Sequence, residues 1–182
     1  MKHLIFVIMG MAAALMISAC GGGETASQPQ ATPVPTLDPV SILTANDVYA
    51  SINYEYVPVV DGGVIVHEDN TSKAVYVSDP KGEGDSVEIK VTQMTDTVSA
   101  EDVRTEFNEA MQKRRDTITI SNLGESAYIA FPSIYVYDRG CILKITAGSA
   151  SSTEQQNLLI DLATKAVANF EQMVPAPDVV QE

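Results

Sequence analysis

Between Ala127 and Ala147 three apolar runs follow one another with almost no room for connections, and that spacing predicts an antiparallel meander. The runs cover 127–131, 134–138 and 141–147. A two-residue turn at Arg139-Gly140 pairs Val136 with Leu143 and Ile134 with Ile145. If Pro132-Ser133 closes as tightly, Ile129 and Phe131 join that face. The opposite face then collects Tyr128, Tyr135, Tyr137, Ile142 and Lys144. One side is thus aliphatic and the other rich in tyrosine. Side chains alternate with period two, so a bulge at the proline turn would flip the first strand's contribution.

The elements on either side read more conventionally. Asp61-Gly62 predicts a hairpin between strands at 56–60 and 63–67. A strand at 74–78 follows. In the strand over 86–93, Val87, Ile89 and Val91 alternate with Glu88, Lys90 and Thr92, as in a half-buried strand with one wet face. A strand at 117–121 precedes the meander. Three helices are predicted. Thr44 caps the first, with Asp47 at N3 and Leu43 and Val48 at staple spacing, and it ends by Asn53. Ser99 caps a second over 100–115, whose Val103, Phe107, Ala110 and Met111 form one stripe. Its first turn holds Glu101 and Asp102, its last Lys113-Arg114-Arg115. Ser152-Thr153-Glu154-Gln155 is a capping box for the third, which runs to about Gln172 and is stopped by Pro175 and Pro177. Leu159, Leu162, Ala163, Ala166, Val167 and Phe170 make its buried stripe, with Asp161, Lys165 and Asn169 facing water. Few strand–helix alternations suit parallel pairing. The expected fold is therefore α+β, a mostly antiparallel sheet flanked by helices, as one domain over 40–174 with a tail at 175–182.

The N-terminus has a different character. Met1-Lys2-His3 is a short basic start, and Leu4 to Met16 is apolar apart from Gly10. Such a run suits a signal-peptide core and is too short for a spanning helix, which needs roughly 20 residues. Ile17-Ser18-Ala19-Cys20 ends it. This segment resembles the lipobox of bacterial lipoproteins, with Ile17 where Leu is usual. The resemblance implies a signal peptide over 1–19, cleavage between Ala19 and Cys20, and diacylglyceryl and acyl (palmitate-type) modification of Cys20. Several acyl chains anchor stably because each buried methylene contributes about 0.8 kcal/mol. The competing reading is an ordinary secretory signal with an incidental cysteine. Residues 20–39 contain Gly21-Gly22-Gly23 and four prolines among Ser, Thr and Gln, so they predict a disordered tether reaching roughly 25 Å. The expected location is the extracytoplasmic face of the cell membrane, or the outer membrane in a two-membrane cell, where Gly21 carries no retention signal.

Charge and cysteine count narrow the function classes. Cleavage before Cys20 removes Lys2 and no acid, taking the formal net charge from −13 to −14. That balance disfavours nucleic acid and anionic lipid headgroups, since the sole basic run is Lys113-Arg114-Arg115. With Cys20 committed to lipid, Cys141 stands alone and no internal disulfide is available. His67 is the one histidine after the leader, so a thiol enzyme or hydrolase would have to combine His67 with Cys141; a buried inert thiol is the plainer reading of Cys141. Zinc lacks ligands. A calcium loop at 79–90 fails because Lys90 stands where the bidentate Glu belongs. No cofactor, metal or catalytic set is expected. The tyrosine face, Tyr128, Tyr135 and Tyr137, is a candidate interaction surface if left open, and core if a helix covers it.

In residues, the Leu123-Gly124-Glu125-Ser126-Ala127 turn, the Tyr-Val-Tyr strand, the hairpin to Ile142-Leu143-Lys144-Ile145 and the final amphipathic helix resemble small lipoproteins of the DUF3558-like and LpqN-like groups. The resemblance implies a PsbP/Mog1-like α/β/α sandwich. It brings no functional residues, because members share no catalytic motif. The expectation from all of this is a non-catalytic binding or accessory module of the cell envelope. Its partners would be the membrane through the lipid and either an envelope protein or a small ligand such as a lipid or glycan, but not nucleic acid. The competing classes are the His67/Cys141 enzyme and a passive surface protein.

Overall fold

The computed structural model of the chain describes residues 36–53, 57–58, 66–68, 70–78, 85–148 and 151–175. The leader, Cys20 and Asp61-Gly62 fall outside these residues. In chain order the elements are α1 (Pro39–Ile42), α2 (Ala45–Ile52), β1 (Val57–Pro58), β2 (Val66–Glu68), β3 (Thr71–Val77), β4 (Ser86–Gln93), α3 (Ala100–Gln112), β5 (Ile118–Ile120), β6 (Ser126–Ala130), β7 (Ser133–Asp138), β8 (Cys141–Ala147) and α4 (Thr153–Met173).

All described strand pairs are antiparallel, in the order β1-β3-β4-β8-β7-β6-β5, with β2 also on β3. The meander register is the one the turn spacing predicts, Val136 opposite Leu143 and Ile134 opposite Ile145. Arg139 and Gly140 both take positive φ, 46° and 76°, as a primed two-residue turn requires. The preceding turn sits one residue earlier than expected, at Phe131-Pro132, so Ile129 pairs with Ile134. That moves the pairing by two positions, which preserves parity, and every side chain keeps its predicted face.

Two layers of helix enclose the sheet. On the aliphatic face α1, α2 and α4 bury Ile42, Val48, Leu159, Leu162 and Phe170 against Ile89, Val91, Ile129, Leu143 and Ile145. On the opposite face α3 lays Val103 and Phe107 over Tyr128, Ala130, Tyr135, Tyr137 and Ile142. The architecture is α+β, with helices on both faces of an antiparallel sheet.

The helix starts follow the capping chemistry. Thr44 and Ser99 make complete capping boxes with Asp47 and Asp102. At Ser152 only half of the expected box forms. Ser152 accepts from the Gln155 backbone, whereas the Gln155 side chain donates to the Ala147 carbonyl, tying α4 to the end of β8.

Four other expectations are corrected. Among the described residues β1 and β2 pair with β3 and not with each other, in succession along one edge, Val57 opposite Val77 and Glu68 opposite Thr71. A local turn signal cannot report that a third strand offers its edge to both segments. The packed unit also begins before residue 40: Leu37 donates to Gln93 Oε1, Ser72 donates to the Leu37 carbonyl, and Asp38 caps α1. α3 ends at Gln112, so Lys113 is its C-cap and Arg114 and Arg115 lie beyond it. Finally, Lys165 and Asn169 do not face water. Lys165 Nζ donates to Ser51 Oγ at 3.0 Å, and Asn169 Nδ2 to the Ile42 carbonyl and Asp47 Oδ2 at 3.1 and 3.0 Å. This polar seam carries α1 and α2 on α4.

Asp161 closes the seam. The hydrogen bond from Lys165, and then that from Ser51, hold its carboxyl below the usual range. A depressed folded pKa contributes stability above the unfolded pKa and loses it as pH falls through the folded one. Asp161→Asn should therefore cost up to about 1 kcal/mol at neutral pH, since the pair is partly exposed. In urea melts at several pH values, its deficit against wild type should vanish below the carboxylate range.

Candidate functional site

The tyrosines come together as predicted, and they are core. Tyr128, Tyr135 and Tyr137 are 0, 8 and 4% exposed. Phe107 sits 5.1 Å from the Tyr128 ring and 5.8 Å from the Tyr137 ring, and Tyr135 stacks on Tyr128 at 4.8 Å. The open-surface expectation for these three residues is thereby corrected: parity chose their face, and α3 covered it. Tyr137 donates to the Ala100 carbonyl at 3.3 Å and Arg114 donates to the Tyr135 hydroxyl at 2.6 Å. The Tyr128 hydroxyl has no hydrogen-bond partner among the described residues, and burial pushes its pKa up to about 12. A buried hydroxyl without a partner costs about 1–3 kcal/mol. Tyr128→Phe should accordingly raise stability by about 1 kcal/mol, seen as a higher thermal midpoint.

Cys141 is buried, and burial, followed by the Asp138 charge, pushes its thiol up to about 12. β2, which carries His67, is separated from β8 by β3 and β4, so the two backbones lie three strand spacings, about 14 Å, apart. The fold does not pair these residues directly. In a Cys20→Ala chain, where Cys141 is the sole thiol, reaction with a disulfide reagent at mild alkaline pH should be about a thousandfold slower than for a free thiol. It should rise to the free-thiol rate on unfolding. Among the described residues no group of three or more His, Cys, Asp or Glu side chains could hold a metal ion, and no helix is long and apolar enough to cross a membrane.

A feature absent from the linear reading appears once the strands are aligned. Lys73 pairs with Lys90, Lys90 with Lys144, and Lys144 with Tyr135. Cross-strand partners share a face, so three lysines form one row across β3, β4 and β8, beside the cluster under α3. The row spans about 10 Å at strand spacing. Its three lysines are half-buried, with Val75, Glu88 and Thr146 in the adjoining row. Their methylene stems lie along the sheet while the ammonium groups reach water.

Among the described residues four basic side chains outside the row have acidic partners. Arg104 pairs with Glu125, Lys113 with Glu109, Lys165 with Asp161, and Arg139 with Asp138 and Glu171. Within the row only Lys73 has an acid, Glu88 at 3.3 Å. Lys144 Nζ lies 5.9 Å from the Tyr135 ring centre, where Arg114 also rests at 5.0 Å. Among the described residues Lys90 and Lys144 have no ion-pair partner, in a chain with 24 acids and 11 basic residues. Like charges directly opposite each other do not help the sheet; they weaken it by up to about 1 kcal/mol. Past Tyr135 a surface hollow of about 340 Å3 is lined by Arg114, Arg115, Asp116, Ala130, Phe131 and Ser151. The sequence signals for the row are the alternation that puts Lys90 on a wet face and Lys144 on the tyrosine face; their adjacency is a property of register. No protein-family model, curated protein or solved structure matches this chain, so the site rests on its own residues.

Proposed function

We propose that this chain is a bacterial lipoprotein, anchored through Cys20 to the extracytoplasmic face of a membrane, whose α+β domain serves the cell envelope as a non-catalytic binding module. The lipobox-like Ile17-Ser18-Ala19-Cys20 supports the location. The observation that carries the binding role is the lysine row, a localised positive strip on an otherwise strongly acidic chain. A high-pKa buried thiol and the separation of β2 from β8 favour binding over a His67/Cys141 enzyme.

In-cell crosslinking of the full chain, pull-down and mass spectrometry test the reading, with Cys20→Ala as control. Envelope components crosslinked by wild type and lost in the control are the expected outcome. A chain that stays on the membrane after Cys20→Ala sinks the anchor. An anchored chain that crosslinks to nothing specific makes it a passive surface protein.

A further inference from the structure

We infer that the row Lys73, Lys90 and Lys144 holds a linear phosphate-bearing polyanion, a phosphodiester strand of the kind an envelope polymer presents, laid across β3, β4 and β8. The inference deepens the binding reading above and rests on it.

The arrangement of the cations selects the occupant. They lie in a line at successive strand spacings instead of converging on one point, so a single small anion would meet one or two of them and a chain of anions would meet all three. Glu88 already occupies part of Lys73, which leaves the free charge at Lys90 and Lys144 and, past Tyr135, at Arg114 and Arg115, whose two charges exceed the one acid of that hollow, Asp116. The strip thus continues into the hollow beyond the tyrosine. The row consists of lysines, whose ammonium groups meet phosphate oxygens as point charges and so need no fixed orientation of each group along a strand.

The rest of the molecule argues against the other polyanionic surfaces. A chain with a net charge of −13 is repelled by an extended anionic bilayer, while a single strand touches only the strip, and charge more than about 8 Å away is screened. Single-stranded nucleic acid needs aromatic platforms for its bases, and the tyrosines beside the row are buried beneath α3. A tether of the expected reach would hold the domain where a polymer strand near the membrane passes it.

The test is amine footprinting of the full chain in mild non-ionic detergent. Each lysine's acylation is read by mass spectrometry, alone, with a short linear polyphosphate, with orthophosphate at equal phosphate concentration, and with mixed micelles carrying phosphatidylglycerol. Polyphosphate should slow modification of Lys90 and Lys144 about tenfold at low salt, with Lys113 and Lys165 unchanged, and orthophosphate and micelles should not. The double variant Lys90→Gln/Lys144→Gln should bind polyphosphate at least about tenfold more weakly. Its salt dependence should be shallower by about 1.4 in the log–log slope. An unchanged unfolding midpoint would show that the variant is folded. Equal protection by orthophosphate, protection by the anionic micelles, no protection at all, or a folded variant that binds like wild type would each overturn the inference. If an envelope protein is captured in cells by this variant as well as by wild type, the binding module stands and its polyanion falls.

Discussion

Phe107→Ala should unfold this domain more readily than any exposed substitution. The expected loss is about 4 kcal/mol, which is roughly 10–15 °C in thermal midpoint at this size. Phe107 is 1% exposed and is the largest apolar side chain that α3 sends into the sheet. Its ring meets Tyr128 and Tyr137 at tilted angles of 58° and 50°. Truncation removes both contacts and leaves a cavity between α3 and the meander, which a helix held by one face cannot collapse to fill. The chain has no tryptophan, so tyrosine emission and near-ultraviolet dichroism report directly on this cluster. Both should lose their native signature in the variant before α4 melts. Phe107→Leu should recover most of the loss, because an apolar volume remains. A Phe107→Ala protein within about 1 kcal/mol of wild type would mean that α3 does not pack on the tyrosine face.

Gly124→Ala is the second large effect, and it acts through the backbone. Gly124 has φ +57°, and a Cβ there would stand 2.7 Å from Val136 Cγ1 and 2.9 Å from the Tyr137 carbonyl oxygen. The first contact involves a buried core side chain and the second involves β7 itself, so neither can swing away. The expected cost is about 3 kcal/mol, from left-handed strain together with the clash. The position anchors the approach to β6: the Glu125 N–H donates to the Tyr137 carbonyl, and Glu125 Oε1 accepts from the Arg139 N–H. Urea melts followed by dichroism should show a lower midpoint with an unchanged slope. Wild-type stability for the alanine variant would show that the turn has another conformation.

These two residues illustrate different degrees of legibility. Phe107 was readable because helix period and cap chemistry are local: Ser99 and Asp102 set the start, and the stripe follows. Gly124 was visible as part of a turn, but the reason it must be glycine lies across the hairpin, in Val136 and Tyr137. Likewise the spacing of α4 yields its aliphatic stripe, but the same spacing puts Lys165 and Asn169 on a wet face, since their partners, Ser51, Ile42 and Asp47, lie more than a hundred residues away in sequence. The turn expected at Asp61-Gly62 lies outside the described residues, but the segments on either side of it, Val57–Pro58 and Val66–Glu68, both pair with β3. A good turn dipeptide favours local pairing, but β3 supplied a competing edge for both segments.

Features that depend on neighbours a few residues apart were legible in the linear chain: the N-caps, the helical stripes, the Arg139-Gly140 turn, and the parity that sorts Tyr128, Tyr135 and Tyr137 from Ile129, Ile134 and Leu143. Which face is covered and which stays open emerges with the packing of distant segments. That packing buried the tyrosines under α3 and lined up Lys73, Lys90 and Lys144, three lysines from three separate stretches of chain. The physical reason is that cover and charge adjacency are set by pairing between distant segments, where a register shift of two residues changes every neighbour while leaving the local pattern untouched.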